Sequence, residues 1–441
     1  MQRVALLDSA DPARPLLMVH GRIVTAGEFA GAVTGLAAAL PEGEHLVNLC
    51  ERRHHFLVAY CAALLRGQSN LLPPSRAPEV VAELIAAHPG SYRCDDERVA
   101  SLSAGAAPAT DPRLLGVPAA HVAERAFTSG TTGRPRVHVK RWGNFLASTR
   151  LNASRIRECL SAYGSARPWI VATVPAQHMY GTETSVLLPL IADMAVHAGR
   201  PLFPADVAAA LGEIPEPRVL VTTPVHLRTL VAAAQPLAPI ALVVSATAPL
   251  DVELASEVES RLATTLLEMF GSTETCVIAT RRTARAEAWH LYPQVRLEPA
   301  TEGTRVTAPW LETATLLQDL IEPEGPEHFS VRGRSLDMVE VAGKRASLAE
   351  LTRRLLAVPG VRDAVVFQPE GASGAGVVAV RRVAALAVAP GRTADELSQH
   401  LARSIDAAFL PRPLLLVAAL PRNELGKLTR ERLLAALRPP P

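Results

Sequence analysis

Residues 128 to 136 read Thr128-Ser129-Gly130-Thr131-Thr132-Gly133-Arg134-Pro135-Arg136, directly after Ala126-Phe127. Glycines let successive backbone N–H groups converge on one anion, and the hydroxyls of Thr128, Ser129, Thr131 and Thr132 add donors, so the loop suits phosphate oxygens. It lacks the Gly-Lys-Ser/Thr ending of the P-loop nucleotidases. The same residues would also serve a polar turn between strands. A second marker is compositional: of 45 basic residues only Lys140, Lys344 and Lys427 are lysines. With arginine as the default cation, each lysine marks either a place that needs a compact ammonium or a survivor of arginine-rich codon bias.

These groups need elements to hold them. Thr25 and Glu28 have capping-box spacing, and Phe29, Val33, Leu36 and Leu40 follow on one helical face. Further on, β-rich runs (Trp169 to Val174, Val219 to Thr223, Ile240 to Ser245) alternate with helical patterns such as Leu250, Leu254, Val258, Leu262. That alternation predicts an α/β domain with mostly parallel strands flanked by helices, whose strand-end loops are the usual ligand sites. After about Gly333 the units shorten. A helix opened by Ser347 and Glu350, a strand at Ala364 to Phe367, a strand at Gly376 to Val380 and a helix from Thr393 with Glu396 as box partner predict a small α+β domain. Leu397, Leu401, Ile405 and Phe409 carry that last helical pattern. The expected division is a large domain over 1–333 and a small one over 334–441.

Composition narrows the function classes. The 441 residues exceed one ordinary core. No apolar stretch reaches the roughly 18 to 20 residues that span a bilayer, so no membrane insertion is expected. Asp8 and Asp11 stand where a secretory leader would be apolar, which predicts a cytoplasmic protein. Five scattered cysteines form no C-x-x-C pair and read as reduced thiols. A formal charge of +2, without a basic run interleaved with aromatics, gives nucleic acid no footing as a partner.

The loop at Thr128 resembles the phosphate-binding signature of the adenylate-forming superfamily, which includes acyl- and aryl-CoA synthetases, nonribosomal peptide adenylation domains and luciferases. Further segments from about residue 128 to 427 follow in family order. Val174 to Gly181, leading to Leu188-Pro189-Leu190, resembles the segment whose His or aromatic residue, here His178, lines the acyl pocket. Ser245 to Leu250, with Ala246, resembles the loop along the adenine. Phe270-Gly271-Ser272-Thr273-Glu274 resembles the aromatic-G-x-T-E signature, which implies the Phe270 ring near adenine, Thr273 on the α-phosphate and Glu274 toward magnesium, a hard cation suited by carboxylate oxygen. Asp319 falls where the family holds the ribose hydroxyls, and Gly333-Arg334 resembles the interdomain hinge. Leu420 to Lys427 resembles the closing signature, whose lysine reaches into the adenylation site. Singly, the Phe270 segment also reads as a strand end with a helix cap, and His178 as a core histidine.

The resemblance implies ATP and magnesium as cofactors and a ligase that forms an acyl-adenylate and transfers the acyl group to a thiol. Gln177 to Gly181, the run Arg136 to Trp142 and the short N-terminal half are similar to the AMP-ligases of xanthomonadin and aryl-polyene pigment pathways. That implies an aromatic acid, with 4-hydroxybenzoate the leading candidate, and the phosphopantetheine thiol of an acyl carrier protein as acceptor. Alternatives are an aryl-CoA ligase using free CoA and a non-catalytic nucleotide- or adenylate-binding protein. Arg412, Arg422, Arg430 and Arg432 read as a basic surface for an acidic carrier or as a solvated face. The chain departs from the family in three places. Arg136 replaces the usual lysine after proline while Lys140 lies four residues on, leaving both open as phosphate ligands; Leu336 replaces the acidic hinge position; Leu348 stands where proline is usual.

Overall fold

The structure is a computed structural model that describes residues 3–73, 76–103, 105–128, 136–233, 235–300, 303–334, 338–341, 344–369, 382–423 and 426–437. Two compact units are formed, one from residues 1–296 with 307–315, the other from 297–306 with 316–441.

The first unit opens as its local sequence dictates. Thr25 N–H donates to Glu28 Oε2 at 2.8 Å and Glu28 N–H to Thr25 Oγ1 at 3.3 Å, closing the capping box. The helix Ala26–Ala39 that follows buries Phe29, Val33 and Leu36. Two sheets then carry the unit. In the larger, Thr265–Ser272, Leu242–Ser245, Arg218–Thr222, Trp169–Ala172, Ala195–His197 and Pro15–Val19 lie side by side in that order, all parallel. Trp169–Ala172 and Leu242–Ser245 are buried at every residue, as strands covered on both faces must be. Helices Pro204–Gly212, Pro224–Ala233 and Val252–Leu262 bring Val207, Leu211, Leu227, Leu230, Leu254 and Val258 against Val171, Leu220, Val243 and Leu266 in one apolar core. The predicted helix starting at Leu250 begins instead at Val252, because Asp251 caps it through Leu254 N–H at 2.8 Å.

In the smaller sheet Ser91–Cys94, His45–Asn48, Ser69–Leu72 and Val122–Thr128 are neighbours in parallel, and Arg136–Arg141 pairs antiparallel with the last. The register sets Glu124 directly opposite Lys140 and Ala126 opposite His138.

The second unit is an α+β assembly, as expected. Asp363–Phe367 runs antiparallel to Ala384–Val388, which runs parallel to Leu414–Leu416. Leu351 and Leu355 of helix Leu348–Leu356 and Leu397 and Leu401 of helix Ala394–Leu401 share a core with Val366, Ala385 and Phe409. Leu348 is buried in the same core, an apolar role for the residue that departs from the family pattern. Thr393 and Glu396 form the predicted box. The helix stops at Leu401 rather than reaching Phe409, because the Asp406 side chain caps a new short turn through Ala408 N–H. The strand expected at Gly376 to Val380 lies outside the described residues; the partner of Asp363–Phe367 is Ala384–Val388.

Candidate active site

Because the central strands of the larger sheet are parallel, their carboxyl ends share one edge, where ligands of such sheets bind. The Thr173–His178 segment, the Ala246–Leu250 loop and the turn after Thr265–Ser272 all leave from it. Ala246 is buried and follows Ser245, whose Oγ is buried without a hydrogen-bond partner. Thr247 takes a positive φ of 80°, uncommon outside glycine. Tyr180 O–H donates to Val244 O at 2.9 Å, tying the two segments together.

The turn from Phe270 to Cys276 is the most constrained part of this edge. Strand Thr265–Ser272 reverses into Cys276–Arg281 with a register shift between Phe270 and Gly271. A Cβ on Gly271 would lie 2.1 Å from the Cys276 carbonyl oxygen, so only glycine fits. The Phe270 ring rests against Trp289 at 5.1 Å between centroids, and Arg281 lies over the other ring at 4.4 Å. Ser272 and Thr275 bond each other through side chain and backbone at 3.1 and 3.2 Å. Thr273 is partly exposed, and the Glu274 side chain is 33% exposed with Oε1 at 3.5 Å from His138 Nε2. From below, Lys140 Nζ donates to Glu274 O at 2.8 Å and Trp310 Nε1 to Thr275 O at 2.8 Å.

Under this turn lies a buried polar cluster. Glu124 and Glu183 are almost wholly inaccessible. Glu124 accepts from Tyr60 O–H at 3.2 Å; Glu183 accepts from Asn152 Nδ2 and from Val277 N–H, each at 3.2 Å, and Asn152 Oδ1 accepts from Tyr292 O–H at 2.8 Å. Loss of hydration pushes the Glu124 carboxyl up to about 8 and Glu183 up to about 7, against the pull of the Lys140 charge on both.

His178 is half-buried; its N–H donates to Pro175 O at 3.3 Å and its carbonyl accepts from Thr182 N–H at 2.8 Å at the start of a short helix. Residues Thr182–Leu187 then wind as a π-helix, a form concentrated at functional sites, and Glu183 sits on it. A cavity of about 10 Å³ lined by Thr173, Thr222 and His226 is large enough for a water and far too small for an aromatic ring.

The remaining expected residues are described unit by unit. Ser129 to Gly133 lie outside the described residues, and Thr128 and Arg136 are paired strand ends flanking them. In the second unit Asp319 opens the strand Asp319–Pro323, opposite Arg334 in its antiparallel partner His328–Arg334, and its carbonyl accepts from Thr304 Oγ1 at 2.8 Å. Lys427 is exposed on a loop closed by Asn423, which takes Lys427 N–H on Oδ1 and gives its own N–H to Lys427 O, both at 2.8 Å. Arg422 fastens that loop to the sheet through Asp363 Oδ1 and Oδ2 at 3.0 and 2.9 Å.

Phe270, Gly271, Thr273 and Glu274 lie on this one turn. Glu124, Glu183, Trp310 and His138 are additions that no motif marks. A signal was present for two of them: Glu124 ends the apolar start Val122-Ala123-Glu124, and His138 is an inward polar position in the alternation Val137-His138-Val139-Lys140.

A parallel sheet thus carries a constrained, carboxylate-bearing turn at its carboxyl edge. The family pattern described as AMP-binding enzyme matches residues 74–306, and the chain belongs to that family. The chain is 30% identical over 234 residues to the 4-coumarate–CoA ligase of Rhodobacter capsulatus, covering 53% of this chain and 57% of that one. It is 29% identical over 130 residues to the fatty acid–[acyl-carrier-protein] ligase MmaC of Mycobacterium marinum, covering 29% and 24%. It therefore spans little more than half of the first relative and a quarter of the second. Its fold matches that of O-succinylbenzoate coenzyme A synthetase of Bacillus subtilis, solved with ATP and magnesium, with a TM-score of 0.77 at 19% identity over 95% of this chain and 96% of that one.

Proposed function

We propose that this chain is an ATP-dependent acid–thiol ligase that activates an aromatic carboxylic acid, with 4-hydroxybenzoate the leading substrate, as its acyl-adenylate. It then hands the acyl group to the phosphopantetheine thiol of an acyl carrier protein. The observation that carries the reading is the Glu274 turn: a partly exposed carboxylate held at the carboxyl edge of a parallel sheet, in a chain of the AMP-binding family. Among the described residues no group of three or more His, Cys, Asp or Glu could hold a metal. One carboxylate fits magnesium all the same, since this ion is usually bound by one or two carboxylates together with substrate phosphates.

When bound, magnesium neutralises charge on the phosphate oxygens. The chain's own residues do the rest by position and electrostatics. Phe270 and Ala246 border the adenine, Thr273 donates to the α-phosphate, Asp319 holds the ribose, and residues 128–133 cradle the outer phosphates. The sequence left Arg136 and Lys140 both open as the cation there; the Lys140 bond to Glu274 O favours Arg136. His178 borders the acyl pocket. A carboxylate oxygen attacks the α-phosphorus and the bond to pyrophosphate breaks, with Lys427 on the oxygens that gain charge. The small domain, pivoting near Arg334 at the 333/334 boundary, then withdraws Lys427, and the thiol sulfur attacks the acyl carbonyl as AMP leaves.

A CoA thiol is the second reading, favoured by the 30% identity to a CoA ligase. For the carrier surface, Arg422 and Arg432 are engaged within their own domain, Arg432 Nη1 donating to Arg422 O at 2.6 Å, and Arg412 is exposed. The presence of both Glu274 and Lys427 argues against a non-catalytic binder. No helix among the described residues is long and apolar enough to cross a membrane, and we assign the protein to the cytoplasm. The test is pyrophosphate release with a panel of aromatic acids, followed by the mass shift on carrier protein or CoA. No release with any acid overturns the reading.

A further inference from the structure

We propose that Lys140 is a positioning residue for the magnesium turn: its ammonium, working from inside the core, fixes the Glu274 carbonyl so that the Glu274 carboxylate points outward. The inference rests on the reading of Glu274 as the magnesium ligand.

Three observations carry it. First, Lys140 is 5% exposed on an inner face of its strand, and its Nζ reaches across 134 residues of sequence to Glu274 O at 2.8 Å. Such a bond from an ionised donor is stronger than one between neutral groups. Second, the turn needs holding. Cys276 has a φ of 61°, and left-handed backbone at a residue other than glycine persists only where the surroundings over-determine it. Here the surroundings are Lys140 on Glu274 O, Trp310 on Thr275 O and Glu183 on Val277 N–H, one grip on each side of the strained residue and one on the metal-binding residue itself.

Third, the lysine is flanked by buried acids. Glu124 stands directly opposite in the antiparallel pair, where side chains of facing residues are near neighbours, and the Lys140 charge also acts on Glu183. Both are acids whose burial favours the proton, and the lysine's hydrogen bond goes to the turn. Removing it lets both carboxyls stay neutral, because burial already raises them, so the Lys140→Met chain keeps a route to folding.

A lysine that only balanced buried charge would produce the same burial, and the experiment separates the two roles. Magnesium-dependent ATP binding is measured by calorimetry in the absence of acid, with thermal unfolding alongside, for wild type, Lys140→Met, Glu274→Gln and the triple variant Lys140→Met/Glu124→Gln/Glu183→Gln. The expected result is a half-saturating magnesium concentration raised on the order of tenfold in Lys140→Met, the loss that one charge-assisted hydrogen bond gives. Unfolding temperature recovers in the triple variant while the magnesium shift remains. If Lys140→Met does not fold, the triple variant, with no buried carboxyl left to balance, carries the comparison. An unchanged magnesium titration in Glu274→Gln removes Glu274 from the metal and takes the functional reading with it. A shift in Glu274→Gln with none in the lysine variants, or a triple variant that recovers both properties, leaves that reading standing and overturns the inference alone.

Discussion

Replacing Glu124 by Gln should change how stability depends on pH, and the structure fixes the sign. Glu124 is buried opposite Lys140, beneath Tyr60 O–H, with Glu183 and Cys276 as its other titratable neighbours. Burial raises its carboxyl from the usual 4.5 to about 8, so between these values the folded chain holds a proton that the unfolded chain has lost. Protons bound in excess by the folded state make stability fall as pH rises. One such proton is worth roughly 1.4 kcal/mol per pH unit, or a ceiling of about 5 kcal/mol across the window, which relaxation and water entry reduce to a few. Gln has no proton to lose and keeps an oxygen for Tyr60 O–H.

The variant should therefore lie closest to wild type near pH 5 and gain on it by about 1 kcal/mol or more per unit toward pH 8. Urea unfolding at fixed ionic strength, followed by tryptophan fluorescence, is the assay. All four tryptophans, Trp142, Trp169, Trp289 and Trp310, fall in the first unit, so the signal reports the domain that contains Glu124. Parallel stability curves for the two proteins from pH 5 to 8 would refute the reasoning. They would mean that Glu124 titrates in the folded state as it does in water.

Three further outcomes follow from the site. Lys427→Ala should slow adenylation by something like 10²- to 10³-fold while a preformed acyl-adenylate still passes to thiol at a near-normal rate; equal losses in both half-reactions sink the alternating-domain account. A phosphopantetheinylated carrier protein should exceed free CoA in kcat/KM, and comparable values assign the chain to the CoA ligases instead. Trp310→Phe removes the donor to Thr275 O and leaves that carbonyl unpaired, which should cost about 1 to 3 kcal/mol in urea unfolding; an unchanged midpoint removes Trp310 from the support of the turn.

What could be read from sequence was local. The Thr25/Glu28 and Thr393/Glu396 boxes involve residues three apart, and each formed as predicted. The buried runs Trp169–Ala172 and Leu242–Ser245 were legible because a strand covered on both faces has no polar alternation. The helix from Thr393 was read too far because periodicity does not see a competing cap, and Asp406 supplied one. At the site, Phe270 to Glu274 stood in one stretch and could be read together. Its supports could not be: Lys140, Glu183 and Trp310 reach the turn from distant parts of the chain, and only the sheet topology brings them there.

The two cations buried at the site show why the lysines were worth noticing. Arg53, 2% exposed, uses both arms of its guanidinium, Nη2 donating to Ala172 O and Val174 O at 3.0 Å each and Nη1 to Ser185 Oγ. A planar fork with several fixed donors suits that task, because the end of the Trp169–Ala172 strand and the Thr182–Leu187 helix present acceptors on different sides of one group. Lys140 brings a compact, rotatable ammonium to the Glu274 carbonyl beside the Cys276 thiol and two buried acids, a task for a point donor and no planar fork. In a chain that places arginine almost everywhere else, the choice of ammonium at Lys140 thus follows the number and geometry of the acceptors it meets.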